Sequence, residues 1–80
     1  MEIKIGSVVR SRAGHDSNVM FAVVGVDDKY VYICDGKERP VQRPKRKNPK
    51  HISATNFIVD DEDLQTNRKL KKALAKFQSV

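Results

Sequence analysis

Residues 6–26 hold two runs of β-branched and apolar side chains, Val8–Arg12 and Met20–Val26, on either side of a polar stretch containing Gly14, Asp16, Ser17 and Asn18. Runs of this length and composition form strands, and turn-forming residues between them favour an antiparallel pair. Gly14 stands where the first strand should end, a place where a residue without Cβ lets the backbone take a positive φ. Two strands alone are marginal in water, so the remaining chain has to complete a sheet and cover it.

Strand alternation sends Val9 and Ser11 to one face of the first strand and Val8, Arg10 and Arg12 to the other. Only one face is expected to be core, which leaves Arg10 and Arg12 in solvent beside the Gly14 turn. Met20–Val26 is almost wholly apolar, as in a strand covered on both faces or strongly curved. After the polar turn Asp27-Asp28-Lys29, the third strand, Tyr30–Cys34, places Val31 and Ile33 opposite Tyr30, Tyr32 and Cys34. Asp35-Gly36 reads as a two-residue hairpin leading into a fourth strand over Lys37–Gln42. Pro40 cannot donate to a ladder and puts that strand at an edge.

Arg43–Lys50 is expected to be an extended basic loop, because Pro44 and Pro49 disfavour helix before them and like charges repel. His51–Phe57 alternates weakly and reads as a fifth strand, closing a barrel against the first or second. Asp60-Asp61-Glu62-Asp63 is an acidic turn. A helix follows from Asn67 to about Gln78, with Leu70, Ala73, Leu74 and Phe77 spaced to share one apolar face. Thr66 is the expected N-cap, with Leu64 packing before it and Asp61 as the competing cap. Residues 1–58 are thus expected to be the barrel, with its basic loop at 43–50, and residues 59–80 the acidic turn and a helix packed on it.

A chain of 80 residues is one domain, and at this size folding buries only ~60% of the unfolded chain's surface. Cys34 is the single cysteine, so no disulfide can form within the chain. No run of 18 apolar residues is present, and Met1–Ile5 carries no signal-peptide apolar region, so a cytoplasmic protein is expected. Two histidines and one cysteine far apart lack metal-ligand spacing, and no cofactor is expected. No nucleophile–base pairing or phosphate-binding glycine loop stands out. Asp60–Asp63 lacks the alternate spacing of a calcium loop. The protein is expected not to be an enzyme.

The net charge of +6 is concentrated. Residues 1–36 hold four basic and five acidic side chains, residues 37–51 seven basic and one acidic, and residues 52–80 five basic and four acidic. The whole excess lies in fifteen consecutive residues, which points to a polyanionic partner rather than to general solubility.

Several stretches resemble the KOW motif, a strand, a glycine-containing loop and a strand within a small SH3-like barrel. They are Ile5-Gly6-Ser7-Val8-Val9, Ser11-Arg12-Ala13-Gly14-His15-Asp16, Phe21-Ala22-Val23-Val24, Asp35-Gly36, Pro44-Lys45-Arg46-Lys47 with Lys50-His51-Ile52, and Thr66-Asn67 with Ala73-Leu74. The likeness is to short bacterial KOW-domain RNA-binding proteins, relatives of a large-subunit ribosomal protein family of archaea and eukaryotes. Where that motif carries a second glycine and a lysine after the first glycine, this chain has Asp16, Ser17 and Asn18. The resemblance implies a five-stranded SH3-like barrel, no catalysis, and binding to ribosomal or other structured RNA. Ribosomal proteins are candidate further partners, and a monomer that does not bind membranes is expected.

The candidate RNA-binding residues are Arg10, Arg12, His15, Lys37, Arg39, Arg43, Lys45, Arg46, Lys47 and Lys50. Lys and Arg neutralise phosphates and release counterions, which gives affinity without sequence choice. The competing reading of the 43–50 run is a solvated charge run, and Pro44-Lys45-Arg46-Lys47 also fits a nuclear localisation pattern. His15 could stack on a base, and so could Tyr30 and Tyr32, although such tyrosines are more often barrel residues with wet hydroxyls. The helix lysines could contact RNA, while the stripe opposite them argues for packing first. A protein-interaction module of a transcription or translation complex is the alternative function.

Overall fold

The computed structural model describes residues 3–12 and 19–78. Five strands form one antiparallel sheet: β1 (Ser7–Ser11), β2 (Met20–Val26), β3 (Val31–Cys34), β4 (Lys45–Lys47) and β5 (Ile52–Ile58). Their order across the sheet is β4-β3-β2-β1-β5, a meander whose last strand returns beside the first. The expected barrel is thus reached only in part, since β5 pairs with β1 but β4 and β5 share no ladder and the sheet is not closed. One helix, α1 (Asn67–Gln78), and two short 3-10 helices, Pro49–His51 and Asp61–Leu64, complete the described elements.

The expectation that only one face is core is corrected. Val8 and Val9, neighbours on opposite faces of β1, are both fully buried. On one face Val8 joins Met20, Ala22, Cys34 and Val59 beneath Leu70, Ala73 and Leu74 of α1. On the other Val9 packs with Phe21, Val23, Val31, Ile33 and Ile52, flanked by Ile3 and Val19. No second layer covers that face among the described residues, so the sheet buries it by curving on itself. The continuous apolar run of β2 follows from this, because alternate residues Met20 and Ala22, then Phe21 and Val23, serve the two clusters.

Two irregularities bend the sheet. Between Val23 and Gly25 the β2–β3 register shifts, and between Ser7 and Val9 the β1–β5 register shifts by carrying extra residues in β5. A bulge leaves ladder groups unpaired, and Thr55 takes up part of that deficit. Its hydroxyl donates to the Val8 carbonyl at 2.7 Å and accepts the Phe57 N–H at 3.1 Å.

The expected strand over Lys37–Gln42 is not formed, and Asp35-Gly36 is not a two-residue hairpin; residues 35–44 make one long connection between β3 and β4. The reason lies in the carboxylate of Asp35. It accepts the N–H groups of Lys37 and Arg39 at 2.9 and 3.0 Å, donors that a ladder would have needed. The Arg39 carbonyl in turn accepts from the Asp35 and Gly36 N–H groups. The fourth strand lies instead at Lys45–Lys47, inside the segment expected to be a basic loop. Its register sets Lys45 against Ile33, Arg46 against Tyr32 and Lys47 against Val31. Lysines on this outer strand discourage pairing with another sheet. Asn48 ends the strand by accepting the Lys50 N–H at 3.0 Å, and Pro49 opens the 3-10 turn into β5.

The helix forms where its spacing places it. Thr66 caps it, its hydroxyl accepting the Lys69 N–H at 3.2 Å. Leu70, Ala73 and Leu74 are buried, and Leu64 packs against the same cluster. Phe77 is half-buried and stacks on Phe57, with ring centroids 4.4 Å apart and planes 18° from parallel.

Truncating Leu74 to Ala should destabilise the protein by about 2–5 kcal/mol in denaturant melts, as expected for deleting a leucine buried to 3% exposure. A loss below about 1 kcal/mol would mean that the helix is not docked. Gly36 has φ +81°, and a Cβ there would come 2.5 Å from the Asn67 carbonyl oxygen. Gly36→Ala should therefore cost roughly 1–3 kcal/mol. Gly25→Ala, whose Cβ would meet only the Tyr32 ring at 3.5 Å, should be tolerated; equal costs for the two would contradict this backbone assignment.

Candidate nucleic-acid interface

The basic run of residues 37–51 is divided by the fold into two surfaces. Lys37, Arg39 and Arg43 are exposed on the 35–44 connection. That connection is tied to the start of α1. Asn67 Oδ1 accepts the Val41 N–H at 2.7 Å, and Asn67 Nδ2 donates to Gln42 Oε1 at 2.9 Å. Lys45, Arg46, Lys47 and Lys50 lie on β4 and the following 3-10 turn. Arg12 joins this second group, since its N–H donates to the His51 carbonyl at 2.8 Å and brings the end of β1 beside Lys50. Arg10 is exposed and pairs across from Ser53. His15 and Gly14 lie outside the described residues.

The cations are not equivalent. Cross-strand partners share a face in an antiparallel pair, so Lys45 and Lys47 stand over Ile33 and Val31. Both are half-buried, as a lysine is when its stem lies along apolar surface and its charge stays in water. Arg46 lies on the opposite face. Its guanidinium sits 4.6 Å from the centroid of the Tyr30 ring, an arrangement in which the ring quadrupole attracts the cation. One face of Tyr30 is thereby covered and not open to a base. Lys37, Arg39, Arg43, Lys45, Lys47 and Lys50 take part in no ion pair among the described residues, where Lys69 and Glu62 form one at 3.1 Å.

The β2–β3 turn beneath Arg46 is organised by Asp27. Its carboxylate accepts the Tyr32 hydroxyl at 2.6 Å and the N–H groups of Lys29 and Tyr30 at 2.9 and 2.7 Å. The Tyr32 hydrogen bond, helped by the two backbone donors and more weakly by the Arg46 charge, holds this carboxyl below its ordinary value. The same bond pushes the Tyr32 hydroxyl above its ordinary value. Tyr32 is therefore committed to the turn. Cys34 lies in the core under α1, where burial, with the nearby Asp35 charge, pushes its thiol up to about 11.

Sequence reasoning weighed the helix lysines as RNA contacts but put packing first and did not count them in the site. Arg68, Lys71 and Lys72, with Ala75, line a shallow open depression on the outer side of α1. The signal available was that Asn67–Gln78 holds five basic and no acidic residues. Among the described residues, no group of three or more His, Cys, Asp or Glu side chains comes together to hold a metal, and no helix is long and apolar enough to cross a membrane. In comparison with known proteins, the chain matches no family model and no curated relative.

The Asp27 carboxylate, depressed below 3.8, contributes stability that is present above pH 3.8 and lost as pH falls through its folded value. Replacing Tyr32 by Phe removes the principal donor. In the variant, the Asp27 carboxyl followed by NMR should titrate at higher pH than in the wild type. An unchanged titration would show that the hydroxyl does not govern this carboxylate.

Proposed function

We propose that this protein is a non-catalytic RNA-binding module of the SH3-like, KOW-domain kind, contacting the phosphate backbone of a structured RNA through β4 and its flanking turns. One observation carries the reading: the seven cations of residues 37–51 are mounted on ordered backbone with a single acid, Glu38, among them. A solvated tail would have no such support. Here Pro44, Asn48 and the pairing of β4 with β3 hold the backbone that carries these cations in place before a ligand arrives, which lowers the entropy lost on binding. The meander with its last strand returned to the first, and the 3-10 turn joining β4 to β5, support the SH3-like assignment beside the resemblance of Gly6–Val26 and Pro44–Ile52.

Affinity from such a surface comes from counterion release and carries little sequence choice. Preference for RNA over duplex DNA would rest on A-form shape and the 2′-hydroxyl. The expected protein-interaction alternative is favoured by a different feature, the exposure of Ile5, Phe57 and Ile58, the last two on the outer strand β5. Salt separates the two readings, because an apolar interface does not weaken steeply as salt rises.

Lys45→Gln, Lys47→Gln and Lys50→Gln together keep most of each stem and remove three charges, leaving Arg46 on Tyr30. Titrated against one RNA hairpin at several salt concentrations, the variant should lose ~2–3 from the slope of log K against log salt, at ~0.7–0.9 per phosphate contact. Its melting temperature should stay close to wild type, since glutamine keeps most of the half-buried stems of Lys45 and Lys47 and charges that form no ion pair contribute little to folding. A slope identical to wild type would remove β4 from the binding surface.

A further inference from the structure

The helix α1 carries Arg68, Lys69, Lys71, Lys72 and Lys76 and no acid. Lys76 in the last turn suits the helix dipole, but folding gains nothing from Arg68, Lys71 and Lys72. Arg68 and Lys69 stand in the first turn, at the positive end of the macrodipole, where cations are disfavoured. Arg68 and Lys72 are one turn apart, a spacing at which like charges repel. Glu62 offsets Lys69 at 3.1 Å, but Arg68, Lys71 and Lys72 have no ion pair among the described residues. Packing does not require them either, because Leu70, Ala73 and Leu74 supply the buried stripe.

Tertiary structure brings a second basic segment, remote in sequence, to the same place. The Gly36 backbone lies against the helix so closely that a Cβ on it would be 2.5 Å from the Asn67 carbonyl oxygen and 3.1 Å from the Lys71 backbone nitrogen. Asn67 then binds the Val41 N–H and the Gln42 side chain, fastening the rest of the connection. Lys37, Arg39 and Arg43 are exposed on that fastened segment, within a few residues of the contact. The depression lined by Arg68, Lys71 and Lys72 shares with this contact the residue Lys71.

We propose that the 36–43 segment and the outer face of α1 at Arg68, Lys71 and Lys72 form one composite surface that binds the RNA phosphate backbone. The proposal rests on the RNA-binding reading and adds to it a second surface, distinct from β4. The charge arrangement explains the choice of ligand. A polyanion relieves both the repulsion within the helix and the mismatch with its dipole. An anionic membrane fits less well, because a helix lying on a bilayer inserts an apolar face. The apolar stripe of α1 is under the sheet, and Ala75 is the one apolar residue around the depression.

The test titrates a labelled RNA hairpin at several salt concentrations with wild type, R68Q/K71Q/K72Q, the charge-conserving R68K/K71R/K72R, and K45Q/K47Q/K50Q. The glutamine helix variant should lose ~2–3 from the log–log salt slope, at ~0.7–0.9 per contact. It should melt at or above the wild-type temperature, because repulsion is removed, and the charge-conserving variant should regain the slope. A wild-type slope in the glutamine helix variant overturns the composite surface, and so does a lost slope that the charge-conserving variant does not regain. If K45Q/K47Q/K50Q loses slope while the helix variant does not, RNA binding stands and the helix surface falls. Wild type without salt-dependent RNA binding sinks both. The same proteins are sedimented with phosphatidylserine vesicles. Vesicle binding that needs the three helix cations, with RNA affinity indifferent to them, overturns the proposal in favour of a membrane.

Discussion

The docking of α1 on the sheet is the contact on which the remaining structure depends. A five-stranded sheet that is not closed has two faces to keep from water, and here both carry apolar side chains. Curvature buries the face of Val9, Phe21, Val23, Val31 and Ile33. The face of Val8, Met20, Ala22 and Cys34 is covered by the helix, through Leu70, Ala73 and Leu74, with Val59 beside them and Val41 and Leu64 packed against the same cluster. At roughly 25 cal/mol per Å² of apolar area, such contacts dominate the stability of a domain this small. The cap at Thr66, the anchor at Leu64 and the stack of Phe77 on Phe57 all serve to keep that helix in place.

The same docking arranges the charges. Because the apolar stripe faces inward, the cations of α1 face outward, and because Asn67 lies at the helix start it can hold the 35–44 connection against it. Acidic residues are gathered at the 3-10 turn Asp61–Leu64, where Glu62 reaches Lys69 and where negative charge suits a helix N-terminus. Among the described residues, Lys45, Lys47, Lys50, Arg68, Lys71 and Lys72 take part in no ion pair. On β4 the lysines serve two ends: they deter edge pairing and they present charge from a strand rather than from a mobile loop. Both proposed contact surfaces thus use residues whose backbone positions are set by packing elsewhere.

Much of the fold was legible because it depends on local pattern. Met20–Val26 and Asn67–Gln78 were read with the bounds observed, and the caps and stripes that mark them are short-range signals. The errors fell where a side chain competes with the ladder. Lys37–Gln42 was expected as a strand because it follows the turn pair Asp35-Gly36, yet Asp35 takes the N–H groups of Lys37 and Arg39, and Asn67, far along the chain, takes that of Val41. With those donors occupied, the strand moved to Lys45–Lys47, whose composition reads as a loop. Likewise Val8 and Val9 cannot both be core in a flat sheet with one cover; the curvature that buries both is not written in either residue.

The sequence by itself determined that this is a small, mainly β chain with one amphipathic helix and a concentrated positive charge, since hydrophobic period, capping chemistry and charge counts are properties of neighbours along the chain. Only the tertiary structure decided how the charge is deployed. It divided the run at 37–51 between the 35–44 connection and β4 with its following turn, seated Arg46 on Tyr30, and brought the backbone at Gly36 and Val41 against Asn67 and Lys71. Those placements follow from contacts between residues distant in sequence, at Gly36 and Asn67 above all. No local pattern specifies them, because the partner that captures a hydrogen-bonding group is chosen by how the sheet and helix pack.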